Sequence, residues 1–562
     1  MISNGLQSLN SLNLTNLRVL LLSYNGLNET IAELLEKLAR GETGKSLQVL
    51  GLSGNELTGK LPANMSTRFE SLRELHARQN LMSGYLPLLP SSLEQLDLAI
   101  NNFVSVFQNP TKGFGKPSNL MKLDLSYNLI SGPFPDLSES IGKLSKLQVF
   151  RAKANSLEGV ISEAHFWNLS SIQKMDLSLN PGLSFNFSDD WVPPFHTLNS
   201  LVLANCKVGP KFPKWLQNQS LFSEIDLSSA SISDTLPHWF WDLISPNLRY
   251  LNLSHNSIDG TLPDLSNKLS PFSIIDLSFN KFWGPISKFV GDFLILNLSN
   301  NKFVGSISFL CSAISQKTLC IDLSYNNFSG EIPDCWNSNI SNLTIINFAN
   351  NGFSGEIPNS LGSLPQLQSL HLRSNNFNGE LPSSFQNFRD LKVMDLEGNK
   401  FIGTIPTWIG SYLTNLTVLS LRNNNFNGSM PESLCHLKNI HFLDLSQNKV
   451  TGRIPRCFNN FTTLIQSTPF TGSIEISYFT ITGDIDYPAY YIDDVFVQWK
   501  NKDAKFNKQL GFSISFWGLL VSLVLSDKWR LAYYGFFNDV KDGLYVNMKI
   551  CLKRLQQKFV GT

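Results

Sequence analysis

LHLRSNNFNGELP (370–382) decides the fold. Its first half alternates: Leu370 and Leu372 point to one side of an extended segment, His371 and Arg373 to the other. Asn375 closes the run, where a primary amide can donate to and accept from backbone groups that a turning chain leaves unpaired. The second half supplies an aromatic ring at Phe377, a turn-permitting Gly379 and Pro382, which removes a backbone donor. Such a unit cannot bury its own leucines. It needs copies of itself stacked on either side.

The copies are present. LLLSYN (20–25), LGLSGN (50–55), LDLSYN (123–128), LNLSHN (251–256) and LDLSQN (443–448) repeat the first half. FSGEIP (328–333), FSGEIP (353–358) and FIGTIP (401–406) repeat the second. Taking the last residue of each first half as a marker gives 18 markers from Asn25 to Asn448. Their mean spacing is about 25 residues, inside the period of leucine-rich repeats. The expected fold is therefore an α/β solenoid, a leucine-rich-repeat horseshoe or superhelix with a short parallel sheet on its concave face, over residues 1–465. Phe282, Phe303, Phe328, Phe353, Phe377, Phe401 and Phe426 are expected to stack as an inner aromatic spine. Cys206 and Ala230 occupy marker positions. Cysteine tolerates burial but bonds less well than an amide, and alanine supplies no bonds, so the coil at Ala230 is expected to be looser. The F-x-G-x-[IL]-P half resembles the plant-specific class of these repeats, found in extracellular receptors.

Composition agrees with many small units sharing one core. Hydrophobic residues are 42% of the chain, against wholesale disorder. Lys+Arg 45 against Asp+Glu 44 leaves a formal net charge of +1, without the basic excess that nucleic-acid binding requires.

The ladder ends after Asn448. Residues 466–509 lack the motif, are polar and Tyr-rich, and read as an irregular island or loop leaving the solenoid. LGFSISFWGLLVSLVLS (510–526) carries no charge and is at the short limit of a transmembrane helix. Gly511, Ser515, Gly518, Ser522 and Ser526 lie roughly along one face of that expected helix, suited to close helix association in lipid. Residues 527–562 form an expected short cytoplasmic tail with no kinase motif. At the other end, MISNGLQSLNSLNLTNL has no basic start, no continuous apolar core and no Cys-bearing cap, so further sequence upstream is expected.

Fourteen N-x-[ST] acceptors precede residue 510. Those outside strand positions, including Asn64, Asn168, Asn218, Asn342, Asn415 and Asn427, are the expected glycosylation sites. Asn252 and Asn297 sit inside N-L-S strand segments, where a glycan is expected to be blocked. Cys311 and Cys335 are 24 residues apart and Cys435 and Cys457 are 22 apart, each close to one coil. Each pair is placed either to bridge adjacent coils or to remain as buried thiols. Cys320 has no obvious partner.

No residues form a convincing catalytic set, metal spacing or phosphate-cradling loop, and no cofactor is expected. Solenoids bind through the outward positions of their strands. Here those are His371 and Arg373, then Asp395 and Glu397, Ser420 and Arg422, then Asp444, all expected to be exposed. Arg373, Glu397 and Arg422 form a column of alternating charge. It is either a ligand-contacting patch or a self-satisfied ion ladder of little energetic consequence. Tyr487, Tyr490, Tyr491 and Trp499 of the island are candidate aromatic anchors.

Several long strings resemble plant leucine-rich-repeat receptor-like proteins, in particular the group of the receptor for a fungal ethylene-inducing xylanase. They include ISEAHFWNLS (161–170), FSDDWVPPF (187–195), CKVGPKFPKWLQNQ (206–219), ISDTLPHWFWDL (232–243), EIPDCWN (331–337), VQWKNKDAKF (497–506) and SFWGLLVSLVLSDKWRLAYYGFFNDVKDGLYV (515–546). The resemblance implies a kinase-less, single-pass receptor at the plasma membrane. Such a receptor senses extracellular protein or peptide ligands in plant defence and signals through leucine-rich-repeat receptor kinases. Soluble inhibitors of microbial wall-degrading enzymes and developmental receptor-like subunits use similar repeats. The chain departs from the group where Leu510–Gly511 runs directly from island to helix, without the further repeats, C-terminal cap and acidic juxtamembrane stretch. A truncated product is expected from that junction.

Overall fold

The computed structural model describes residues 16–39, 43–105, 119–133, 144–219, 222–265, 268, 273–286, 293–337 and 339–460, together with four short strands between 473 and 505. The chain falls into two compact units, one drawn from Met1–Gly305 and Ser312–Thr318, the other from Ser306–Cys311 and Leu319–Thr562.

Each coil opens with a strand of about three residues, and the strands pair in parallel and in register. In the second unit Ser369–His371 pairs with Val393–Asp395, which pairs with Val418–Ser420 and then with Phe442–Asp444. Leu370, Met394 and Leu419 therefore lie side by side, and each is fully buried. In the first unit the same register aligns Leu75, Leu96, Leu123, Phe150 and Met175. Burying such side chains contributes about 1.5–3 kcal/mol apiece.

The marker asparagines bond the coils to one another. Asn375 donates from Nδ2 to the carbonyls of Phe348, Leu372 and Arg373 at 3.0, 3.1 and 3.2 Å, and its Oδ1 accepts the Phe353 N–H at 3.1 Å. The same set recurs at Asn55, Asn128, Asn280 and Asn424. The amide reaches these groups because the residue before it takes a left-handed turn, as at Ser374 (φ 54) and Tyr127 (φ 54).

The expectation of a looser coil at Ala230 is corrected. The strands on either side stay in register, Ser200–Val202 with Glu224–Asp226 and Glu224–Asp226 with Tyr250–Asn252. The Leu203 carbonyl, which a marker amide at Ala230 would have served, accepts the Cys206 N–H at 3.2 Å. Asn256 Oδ1 accepts from both Ala230 and Ile232 N–H groups. Cys206 also bonds better than expected, because its thiol donates to the Leu177 carbonyl at 3.2 Å.

The aromatic spine forms as expected in each unit. Phe282 and Phe303 stack at 6.2 Å in the first. In the second, Phe328, Phe353, Phe377, Phe401 and Phe426 stack with successive centroids 6.1–6.3 Å apart, all fully buried. The backbone beside the spine pairs into narrow second sheets, such as Asn327–Gly330 with Gly352–Gly355. After the proline each coil closes through a short helical turn, as in Asn359–Ser363, Ser383–Asn387, Trp408–Tyr412 and Glu432–His436. Leu361, Phe385, Ile409 and Leu434 anchor these turns with no exposed surface. The turns pack so closely that a Cβ on Gly410 would lie 1.9 Å from the Ser433 carbonyl oxygen.

Both expected disulfides join neighbouring coils of the second unit. Cys311 bonds Cys335 and Cys435 bonds Cys457, with Cα atoms 5.6 and 5.7 Å apart. Cys206 and Cys320 are buried thiols. The island is not wholly irregular. Ser473–Tyr478 pairs antiparallel with Ala489–Asp494, and Phe496–Trp499 with Lys502–Lys505. Alternation in SIEISY suits an extended segment. The segment 510–526, with Gly511, Ser515, Gly518, Ser522 and Ser526, and the tail 527–562 lie outside the described residues. Among the described residues no helix is long and apolar enough to cross a membrane.

Candidate functional site

In the second unit, the position two residues before each marker carries Ser324, Ala349, Arg373, Glu397, Arg422 and Ser446 in successive coils. Small residues are the rule there, so three long charged side chains in a row stand out. The parallel register sets them in one column. Arg422 Nε lies 3.4 Å from Glu397 Oε1, and its Nη1 lies 3.6 Å from Asp444 Oδ2 and 3.1 Å from Ser446 Oγ. Burial, then the neighbouring Asp395, push the Glu397 carboxyl up to about 7, although Arg373 and Arg422 oppose the shift. The column is thus an ion ladder, and its guanidinium charge does not fully offset its carboxylates.

The expected exposure of this face is corrected. His371, Arg373, Asp395 and Ser420 retain only 4%, 6%, 2% and 4% of their surface. Strands lie about 4.8 Å apart, so outward side chains in neighbouring coils cover one another. His371 is held by Ser369, Nε2 to Oγ at 2.8 Å, and its Nδ1 is 3.9 Å from Asp395 Oδ2. The open rim of the ladder is Glu397, Arg422 and Asp444, with side chains 13–21% exposed.

The first unit carries a feature not expected from sequence, an acidic column at the last position of its strands. Asp97, Asp124, Asp176, Asp226 and Asp276 belong to it, with Arg151 as the cation, 3.7 Å from Asp124. Most of these carboxylates are held by their own chain. Asp176 accepts the Ser178 N–H at 3.0 Å and its hydroxyl at 2.6 Å, and Asp226 and Asp276 hold Ser228 and Ser278 the same way. Burial raises Asp97, Asp176 and Glu224 above the usual carboxylate range and takes Asp226 to about 6. The recurring D-L-S triplet was the available signal. Among the described residues no group of three or more His, Cys, Asp or Glu is arranged to hold a metal.

Of the island anchors, Tyr490 and Tyr491 lie in the strand Ala489–Asp494 and Trp499 ends Phe496–Trp499, whereas Tyr487 lies outside the described residues. Asn64, Asn168, Asn218, Asn415 and Asn427 are exposed, and Asn342 is half-buried. Asn252 is turned to Ser254 and Tyr250, and Asn297 is 9% exposed with Nδ2 on Asp276.

One parallel strand per coil, an asparagine ladder, a phenylalanine spine and proline-led turns define a leucine-rich-repeat solenoid of the plant type. Leucine-rich-repeat family models match residues 389–450 and six further stretches, among them 318–339, 342–364 and 366–388. Among curated relatives, Receptor-like protein EIX1 of Solanum lycopersicum is 48% identical over 130 residues, and Receptor-like protein EIX2 of the same plant is 49% identical over 127 residues. Each match takes in 23% of this chain and 12% of the relative's length, so the chain spans a small part of either protein. Two solved structures are similar over most of the chain. One is the ectodomain of the Arabidopsis receptor kinase HAESA with an extended IDA peptide hormone (27% identity, 79% of this chain, 77% of that one, TM-score 0.63). The other is PEPR1 with AtPEP1 (25% identity, 80% and 71%, TM-score 0.62). The chain resembles plant receptor-like proteins of the EIX group.

Proposed function

We propose that this chain is the ligand-recognising part of a kinase-less plant receptor, single-pass in the plasma membrane through 510–526. Its glycosylated solenoid binds extracellular protein or peptide elicitors in defence and signals through partner leucine-rich-repeat receptor kinases. The observation that carries the reading is the Arg373–Glu397–Arg422 ladder, which replaces the small residues of its column in three consecutive coils. The likeness to EIX1 and EIX2 supports the receptor-like class. The HAESA solenoid, which was solved with a peptide hormone and the co-receptor SERK1, supports a peptide ligand and a kinase partner. Tyr490, Tyr491 and Trp499, on strands that follow the last coils in sequence, are candidates for further contacts.

The test is expression in leaf tissue challenged with the protein fraction of a fungal culture, read as an oxidative burst. The expected result is a burst above the empty-vector control that Arg422→Glu abolishes at equal protein abundance. A burst no greater than the control, or one indifferent to the substitution, overturns the proposal.

A further inference from the structure

The ladder of the second unit is short of positive charge. The charged or titratable groups facing it are His371 and Arg373 on one strand, Asp395 and Glu397 on the next, then Arg422, then Asp444. Three carboxylates therefore share two guanidinium groups. Arg422 is already divided between Glu397 at 3.4 Å, Asp444 at 3.6 Å and the Ser446 hydroxyl at 3.1 Å. His371 is turned to Ser369 and Asp395, away from the open rim. The Glu397 carboxyl responds by holding its proton up to about 7, as burial and Asp395 outweigh both arginines.

The rim also has no aromatic side chain at the neighbouring turn position. The residue before the marker is an exposed aromatic in some coils, such as Tyr127 and Tyr325. Beside the ladder those positions are Ser374, Gly398, Asn423 and Gln447, none of them aromatic. Gly398 follows Glu397 directly at φ +67, a conformation that favours glycine, and so places no side chain of its own beside the carboxylate.

We infer that the ladder is a seat for a basic side chain of the ligand, a lysine ammonium or arginine guanidinium lying against Glu397 and Asp444 beside Arg422. This rests on the reading of the strand face as the ligand-binding face, and it names the chemistry that face selects. The incoming cation completes the charge balance. At neutral pH its entry drives the Glu397 proton to solvent, so binding strengthens as pH rises through about 7.

The test uses Nα-acetyl-arginine methylamide as probe on the full chain, with the citrulline analogue as neutral match and Nα-acetyl-aspartate methylamide as anionic match. Binding is followed by saturation-transfer NMR at pH 6 and pH 8. The expected result is saturable binding of the arginine probe, tighter at pH 8, with the citrulline analogue about tenfold weaker. Glu397→Gln removes the pH dependence and weakens binding about tenfold, and Asp444→Asn, which leaves Glu397 in place, weakens it also. Preference for the aspartate probe, no saturable binding of the arginine probe, or indifference to both substitutions overturns the inference. The two readings fail separately. If Arg422→Glu abolishes the oxidative burst while the arginine probe does not bind, only the cation seat fails. If the probe binds and the burst ignores Arg422→Glu, the ligand face fails.

Discussion

Truncating Asn399 to alanine isolates the bond system that holds the coils in register. Asn399 is 7% exposed and makes four hydrogen bonds. Nδ2 donates to the carbonyls of Leu372 at 2.9 Å, Leu396 at 3.1 Å and Glu397 at 3.3 Å, and Oδ1 accepts the Phe377 N–H at 3.1 Å. The Glu397 carbonyl keeps a partner after truncation, because it also accepts the Ser374 N–H at 2.7 Å. The Leu372 carbonyl keeps Asn375 Nδ2 at 3.1 Å and the Leu396 carbonyl keeps Asn424 Nδ2 at 2.9 Å, so the group that loses its acceptor in a buried setting is the Phe377 N–H. At about 1–3 kcal/mol for one buried donor left unpaired, the loss is about 2 kcal/mol. Asn399→Cys should recover about 1 kcal/mol, because Cys206 occupies the same position and its thiol reaches the carbonyl of the neighbouring coil. Equilibrium urea unfolding of both variants measures this. With a slope of about 3 kcal/mol/M, the alanine variant's midpoint falls by about 0.7 M. A loss below about 1 kcal/mol for alanine, or a cysteine variant no better than alanine, would refute the claim that side-chain bonds between coils set the stability.

Gly410→Ala places a methyl group 1.9 Å from the Ser433 carbonyl oxygen, a backbone atom that cannot rotate away. The expected cost is about 3 kcal/mol or more, visible as a lower thermal midpoint or loss of soluble protein, whereas the exposed Ser411→Ala should be near neutral. Gln79 is exposed and held at φ 57, where Gly54 and Gly398 serve in other coils. Gln79→Gly should therefore stabilise the chain by about 0.5–1 kcal/mol in the same urea assay, and a loss of stability would count against strain at that turn. Glu397 has its folded-state carboxyl raised to about 7 from 4.5, so its charge opposes folding above about pH 7 and that cost fades as pH falls toward 4.5. Its side chain is only 13% exposed, so Glu397→Gln should be more stable than the natural chain by about 1–2 kcal/mol at pH 8 and equal to it at pH 5. A natural chain that is the more stable one at pH 8 would show that the Arg422 pair outweighs burial.

The parts of the fold tied to period were readable in advance. Asn375 and Phe377 could be placed because L-x-L-x-x-N and F-x-G-x-[IL]-P recur in phase, and phase fixes which side chains face inward. The one-coil spacing of Cys311 and Cys335 likewise pointed to a bridge that the structure contains. Exposure on the strand face was misjudged because alternation says which way His371 and Asp395 point, not how closely the next coil's side chains crowd them. The acidic column went unseen for a related reason. A carboxylate such as Asp176 looks solvated in a string, yet its serine two residues on supplies both a backbone and a hydroxyl donor that permit burial. At Ala230 the missing amide suggested a defect, but the unserved Leu203 carbonyl found a backbone donor three residues on in its own coil, at Cys206.

The most direct test of the receptor reading is where the solenoid resides and which asparagines meet the glycosylation machinery. The chain, tagged at its C-terminus, is expressed in plant cells, treated with an N-glycosidase, and mapped by mass spectrometry. The account predicts a mobility shift, glycans on exposed Asn64, Asn168 and Asn415, and bare Asn252 and Asn297, whose amides are turned into the strand face. An unshifted, fully expressed protein would contradict the placement of the ladder on the extracellular side, and glycans on Asn252 or Asn297 would contradict the packing of the strand face.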